Sequence, residues 1–182
     1  FCVVVAVAMT TMSQLSSSLI ASQALQNATL YAQSIREARA LYSSDVINPL
    51  NNAKLINFTH DYNPTKLTVP VPATFLIELG KNITEKNPEI SVRLYSDYPF
   101  PWREKEGGTR DRFEREALSY LMQNPTQKFF RSDEFRGKPA FRYAEADILT
   151  ASCINCHNTN SNSPKKDWKV GDVRGILEIT QP

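Results

Sequence analysis

The sequence is short of the residues that catalysis and nucleic-acid binding draw on. Only two histidines, His60 and His157, and three cysteines, Cys2, Cys153 and Cys156, occur in 182 residues. There are no paired carboxylates, no nucleophile elbow and no glycine-rich phosphate loop, so no catalytic constellation is visible and no enzyme is expected. The net charge is only +2, and no long basic run offers an electrostatic footprint, so nucleic acid is not an expected partner. Two of the three cysteines lie in one short motif, which leaves no pair for a structural disulfide. No internal repeat is visible. A hydrophobic fraction of 41% and a charged fraction of 22% match ordinary globular proteins, so a core can form.

Glycine and proline are absent from Thr10 to Asn48. Alanine, leucine, glutamine, serine, arginine and glutamate dominate there, and most of these tolerate a helix well. Leu15, Leu19, Ser22, Leu25, Ala28, Ala32, Ile35, Tyr42 and Val46 recur at steps of three or four, which predicts one helical face. Unbroken from Phe1 to Asn48, such a helix is roughly 70 Å long, and Pro49 is expected to end it. Its first twelve residues, FCVVVAVAMTTM, are apolar but short of the about 20 needed to span a bilayer. The first residue is not methionine, so the chain is expected to start inside a longer protein. The stretch then reads as the end of a membrane anchor or as the tail of a signal peptide, with Ala6-Val7-Ala8 as a small-residue cleavage site; the anchor is favoured. The expected division is 1–14 end of the anchor, 15–49 long helix and 50–182 domain. The small residues on the helical face suit a twin helix, hence a homodimer, or the domain's own sheet.

Beyond Pro49, Asn51 to Pro72 reads as a proline-rich loop carrying Phe58-Thr59-His60-Asp61-Tyr62. Ala73 to Lys86 has helical spacing with Gly80 as its weak point, and Ile90 to Tyr95 alternates like a strand. Asp97 to Arg103 is an aromatic loop stiffened by Pro99 and Pro101. Asp111 to Met122 predicts a helix capped by Thr109 or Asp111, with Phe113, Ala117, Leu118 and Leu121 on one side and Met122 packed in the core. Lys128–Arg131, Pro139–Ile148 and Val173–Thr180 read as strands, the first two joined by a turn at Arg136-Gly137. The order predicts an α+β fold with an antiparallel sheet.

The densest chemistry lies at Cys153-Ile154-Asn155-Cys156-His157. Two cysteines separated by two residues and followed at once by histidine form the attachment signature of c-type haem. The thiolates add across the vinyl groups, and the adjacent imidazole lies over one face where it can bind iron. A zinc site would need more ligands than the chain supplies, and a redox dithiol has no use for the histidine. One covalent haem is therefore expected, with Cys153 and Cys156 as attachments and His157 as the proximal ligand. Attachment of this kind takes place on the exported side of an energy-transducing membrane, so a periplasmic domain on a membrane anchor is expected. Tyr98, Trp102 and Trp168 are candidate walls for the porphyrin, with Tyr95, Phe100 and Tyr143. Arg103 and Lys169, beside candidate wall rings, are the chosen partners for the propionates, from a set that also holds Arg142, Lys165, Lys166 and Arg174. His60, the other imidazole, is the expected sixth ligand of the iron, with an empty or water-bound position as the alternative.

The blocks SVRLYSDYPFPWR, DRFEREAL, RYAEADILTASCINCHN and SPKKDWKVGDVRGILEI resemble, in this order, a bacterial family of exported haem c domains. The resemblance runs from about Ala38 to Pro182. It implies a PAS- or Cache-like sensor fold, of a kind placed outside the membrane in front of histidine kinase, cyclase or chemoreceptor modules. It further implies a redox- or ligand-sensing role. The alternative is a monohaem electron-transfer subunit of a membrane redox complex, because one fold can serve both ends.

Overall fold

The computed structural model describes residues 2–53, 56, 58–61, 63 and 68–182. The expectations for Phe1, Tyr62 and Pro64 lie outside the described residues.

Helix α1 (Cys2–Leu41) runs through a π-helical segment, Tyr42–Ile47, into α2 (Asn48–Ala53). The expected stop at Pro49 is therefore corrected. Proline has no N–H to donate, and its ring presses on the carbonyl four residues back. Here the turn before the ring is widened: the Asn48 N–H bonds the Ser43 carbonyl, five residues away. That extra residue in the turn lets the helix pass the proline. By length and composition the N-terminal part of α1 is able to cross a membrane as an anchor or to serve as a signal sequence, and the apolar stretch there buries nothing. Further along, Ala28, Ala32 and Ile35 form a buried stripe at steps of four and three. Of the two surfaces open to this stripe, the domain's own sheet takes it.

That sheet has the order β3 (Ser91–Tyr95), β6 (Val173–Gln181), β5 (Lys138–Ile148), β4 (Lys128–Phe135), antiparallel throughout. Neighbouring residues of a strand point to opposite faces, and Tyr143 and Ala144 do so here. On one face α1 and α3 (Pro72–Lys86) bury Leu76 against Phe141, Tyr143, Leu177 and Ile179. On the other, α5 (Arg112–Gln123) buries Phe113, Ala117, Leu118 and Leu121 against Tyr95, Ala144, Val173 and Ile176. Each large aliphatic side chain so buried contributes about 1.5–3 kcal/mol. A short parallel pairing of β1 (Phe58–Thr59) with β2 (Val69–Pro70) leads into α3, and a single turn, α4 (Glu104–Gly107), precedes α5. The α+β architecture with its long N-terminal helix, antiparallel sheet and flanking helices is the expected one.

Three local readings change. Gly80 is no weak point, since a Cβ there would meet the Cβ of Val92 at 3.1 Å, and glycine is what lets α3 lie close on β3. Met122 is 45% exposed, because Leu118 and Leu121 take the core side of α5 and position 122 lies one step round the helix. Arg142 is no propionate partner. Only 2% of it is exposed, and its Nε donates to Glu178 at 2.8 Å and its Nη1 to Asp111 at 2.7 Å. Asp111 also caps α5, accepting the Glu114 N–H at 2.9 Å. A buried carboxylate left without its cation is costly, so Arg142→Met is expected to destabilise the domain by about 3–5 kcal/mol. Adding Glu178→Leu should recover most of that loss in chemical denaturation. A single variant that unfolds at the wild-type midpoint would refute this role.

Candidate functional site

Past the end of β5, the chain turns at Thr150 into α6 (Ala151–Thr159). The Thr150 hydroxyl lies 3.2 Å from Cys153 Sγ. Steps of three and four along α6 put Cys153, Cys156 and His157 on one side, within a single turn. Both thiols are free. Cys156 is exposed, and partial desolvation, with Cys153 close by, raises its thiol above the ordinary value. Burial, helped by the charge of Arg174, pulls His157 down to about 4. Its imidazole is thus neutral near pH 7, as a metal ligand must be. Among the described residues no three His, Cys, Asp or Glu side chains converge as they would around one zinc ion.

The opposing side of the site comes from β6. Asp147 pairs with Gly175 but Ile148 with Val173, so Arg174 is the extra residue of a β-bulge. Bulges re-aim side chains, and this one sends Arg174 to α6. Its Nε donates to His157 Nδ1 at 3.3 Å and its Nη1 to Ser96 Oγ at 2.7 Å. Ser96 in turn donates to the Arg174 carbonyl at 2.6 Å. A side chain at Gly175 would put its Cβ 2.6 Å from the Tyr95 carbonyl, so glycine is what allows β3 to approach the bulge.

Aromatic rings close the corner. The Arg174 guanidinium carbon lies 5.6 Å from the centre of Phe100 and 5.4 Å from that of Trp168. Phe100 is 5.6 Å from the ring of His157. Trp102 stacks on Phe100 at 4.6 Å, and His60 stacks on Trp102 at 3.7 Å with planes 8° apart. Tyr98 meets Trp168 edge-on at 5.5 Å. Trp168 is held by Asn158, whose Nδ2 donates to the Trp168 carbonyl at 2.9 Å and whose Oδ1 accepts the Trp168 N–H at 3.0 Å.

Residues 16–182 match the Tll0287-like family model. The chain belongs to the Tll0287-like family. No curated protein matches it significantly. Among solved structures it is similar to the cyanobacterial heme-protein Tll0287, at 19% identity and a TM-score of 0.55, covering 84% of this chain and 92% of that one. At this identity the likeness concerns the fold. The resemblance carried by the four sequence blocks is borne out at the level of the family.

Within this family member the expected site residues separate. Phe100 meets both His157 and Arg174, Trp168 meets Arg174, and Trp102 and Tyr98 pack behind those two rings, whereas Tyr95 and Tyr143 belong to the core. His60 is not brought against His157, because Trp102 and Phe100 stand between the two imidazoles. Arg103 turns to the Leu94 carbonyl at 3.4 Å and to Glu106 at 3.8 Å. Lys169 is exposed, and its contact is a backbone one, its N–H donating to Asp172 at 2.8 Å. Lys165 pairs with Asp167 at 2.6 Å and lies 4.8 Å from the centre of Trp168. Sequence reasoning passed over Asn158, Ser96 and Asp147. Asn158 had a signal, its place directly after the motif; Ser96 and Asp147 act across the fold and had none. Asp147 holds Arg39 of α1 through a two-pronged ion pair, and next to it Glu145 holds Arg36 at 2.9 Å. Asn158→Ala removes both ties to Trp168. It should cost about 1–3 kcal/mol and raise amide exchange at Trp168 while α6 stays protected. Unchanged exchange there would refute the tie.

Proposed function

We propose that this chain is a membrane-anchored, exported haem c domain that senses redox state or a small ligand and is not an enzyme. The reading is carried by one observation: Cys153, Cys156 and His157 stand on one side of α6, with Phe100 against His157, Trp102 stacked on Phe100, and Trp168 and Tyr98 packed together beside Arg174. The donor set fits a single covalent haem. Two thiols lie one helical turn apart, and among the described residues nothing hydrogen-bonds His157 Nε2. When bound, the group supplies a one-electron iron couple and an exchangeable coordination position. The protein's own part is to fix the ring by Cys153 and Cys156, present the imidazole of His157, and exclude water with aromatic surface. That Tll0287 is a heme-protein supports the reading. The apolar start of α1 is the anchor, with the domain on the periplasmic side. Leu30 and Leu41, exposed on α1, offer a surface to a twin helix. The covalent link is tested on a denaturing gel stained for haem peroxidase. Haem is expected to travel with the polypeptide and to be lost in Cys153→Ala/Cys156→Ala. Haem that acid-acetone extracts would overturn the proposal.

His60 is the candidate for the second face of the iron, as a ligand that can be switched, and for it to reach the iron both Trp102 and Phe100, which stand between the two imidazoles, have to move aside. Its stack on Trp102 competes with ligation, and such a stack is worth about 0.5–1.5 kcal/mol, a population weight of roughly two- to tenfold. The ferric protein should therefore show both low-spin and high-spin paramagnetic resonance signals. Trp102→Ala should enrich the low-spin form and His60→Ala abolish it. Low-spin signals that survive in His60→Ala exclude this ligand. The second reading, an electron-transfer subunit of a membrane redox complex, is favoured by the ring column itself, which runs from His157 through Phe100 to Trp102, 38% exposed. A purely low-spin spectrum in every variant would support that reading.

A further inference from the structure

We propose that Arg174 sets the reduction potential of this site and biases the iron toward its ferrous state. The inference rests on the haem reading above and concerns what this chain does to the group. Three features of the fold converge on it. Arg174 is the bulged residue of β6, held by Ser96 and by the rings of Phe100 and Trp168, so its charge is fixed in place. Its Nε lies 3.3 Å from His157 Nδ1, the nitrogen that carries the imidazole proton once Nε2 holds the iron, so two donors then face each other there. And among the described residues no side-chain carboxylate forms an ion pair with it, since Asp147, whose charge reaches it, is already clasped by Arg39.

Two physical effects then act in one direction. Reduction of ferric iron adds one electron and lowers the charge of the site by one, with no proton or leaving group involved. A fixed positive charge nearby favours the less positive state. The second effect works through the ligand. A metal-bound imidazole ordinarily donates its remaining N–H to a carbonyl or carboxylate, which makes it a stronger electron donor and stabilises the oxidised metal. A guanidinium has only donors. Arg174 therefore withholds that support from His157 at the one position where it could be given. Arg174 is a positioning residue in this sense, acting on the iron through His157 and through its field.

The test is an equilibrium redox titration of the haem-loaded chain, with an electrode supplying or removing the electron and the absorption spectrum reporting the iron. Loading is first established by the haem-stained gel. A chain without covalent haem overturns the underlying reading and this inference with it. With loading intact, Arg174→Gln should shift the midpoint potential downward, and Arg174→Lys should shift it clearly less. Asp147→Asn, which removes the carboxylate that reaches Arg174, should shift it upward and carries the test on its own if neither arginine variant loads. A midpoint unchanged in Arg174→Gln, or Arg174→Lys falling as far as Arg174→Gln, would overturn the inference, as would a downward shift in Asp147→Asn.

Discussion

The pairing of β5 with β6 is the contact on which the rest of the molecule depends. β5 leads into the helix with the two cysteines and the histidine, and β6 delivers the arginine that meets that histidine. The register between them shifts by one residue between Asp147 and Ile148, and the residue left over is Arg174. The same two strands supply the inner layer of both cores, with Tyr143 and Ile179 on one face and Ala144 and Ile176 on the other. Their one buried ion pair, Arg142 with Glu178, is closed off by the cap of α5. Site and scaffold are therefore built from one register, and a slip of one residue would turn every side chain of β6 to the wrong face.

What the sequence makes legible is whatever is local. Leu118 and Leu121 sit at helical spacing, Asp111 stands three residues before Glu114, and Arg136-Gly137 lies between two alternating runs. Each of these patterns names its own structure. Cys153, Cys156 and His157 are legible for the same reason, since their chemistry is set by spacing along a single turn. Arg174 and Arg142 are not. Both are arginines in strands, and only the partner strand tells them apart: Arg142 finds Glu178 and Asp111, whereas Arg174 finds an imidazole, a hydroxyl and two aromatic faces. Pro49 misleads because the local rule is correct for an α-helical hydrogen-bond pattern, and the chain changes the pattern before reaching the ring. Met122 misleads by one position of helical phase.

The long helix and the site meet on the same strand. Glu145 and Asp147 of β5 hold Arg36 and Arg39 of α1, and Asp147 is also the carboxylate whose charge is felt at His157 and Arg174. The buried stripe Ala28, Ala32 and Ile35 brings the helix close through small side chains, and the ion pairs fix it along its length. A charge change at the site thus acts on a carboxylate that is already engaged with the helix.

The wide turn at Tyr42–Ile47 has a geometric consequence for that helix. A π turn contains one residue more than the α turn it replaces, and one residue in an α-helix corresponds to about 100° of rotation. The azimuth of α1 is fixed on the sheet by Ala28, Ala32, Ile35, Arg36 and Arg39, so the phase inserted just ahead of Pro49 sets how α2 departs from it. The proline keeps that phase from being absorbed toward the domain. Any relocation of the extra residue has to run up the helix, turning the stretch it crosses about the long axis without lengthening or breaking it.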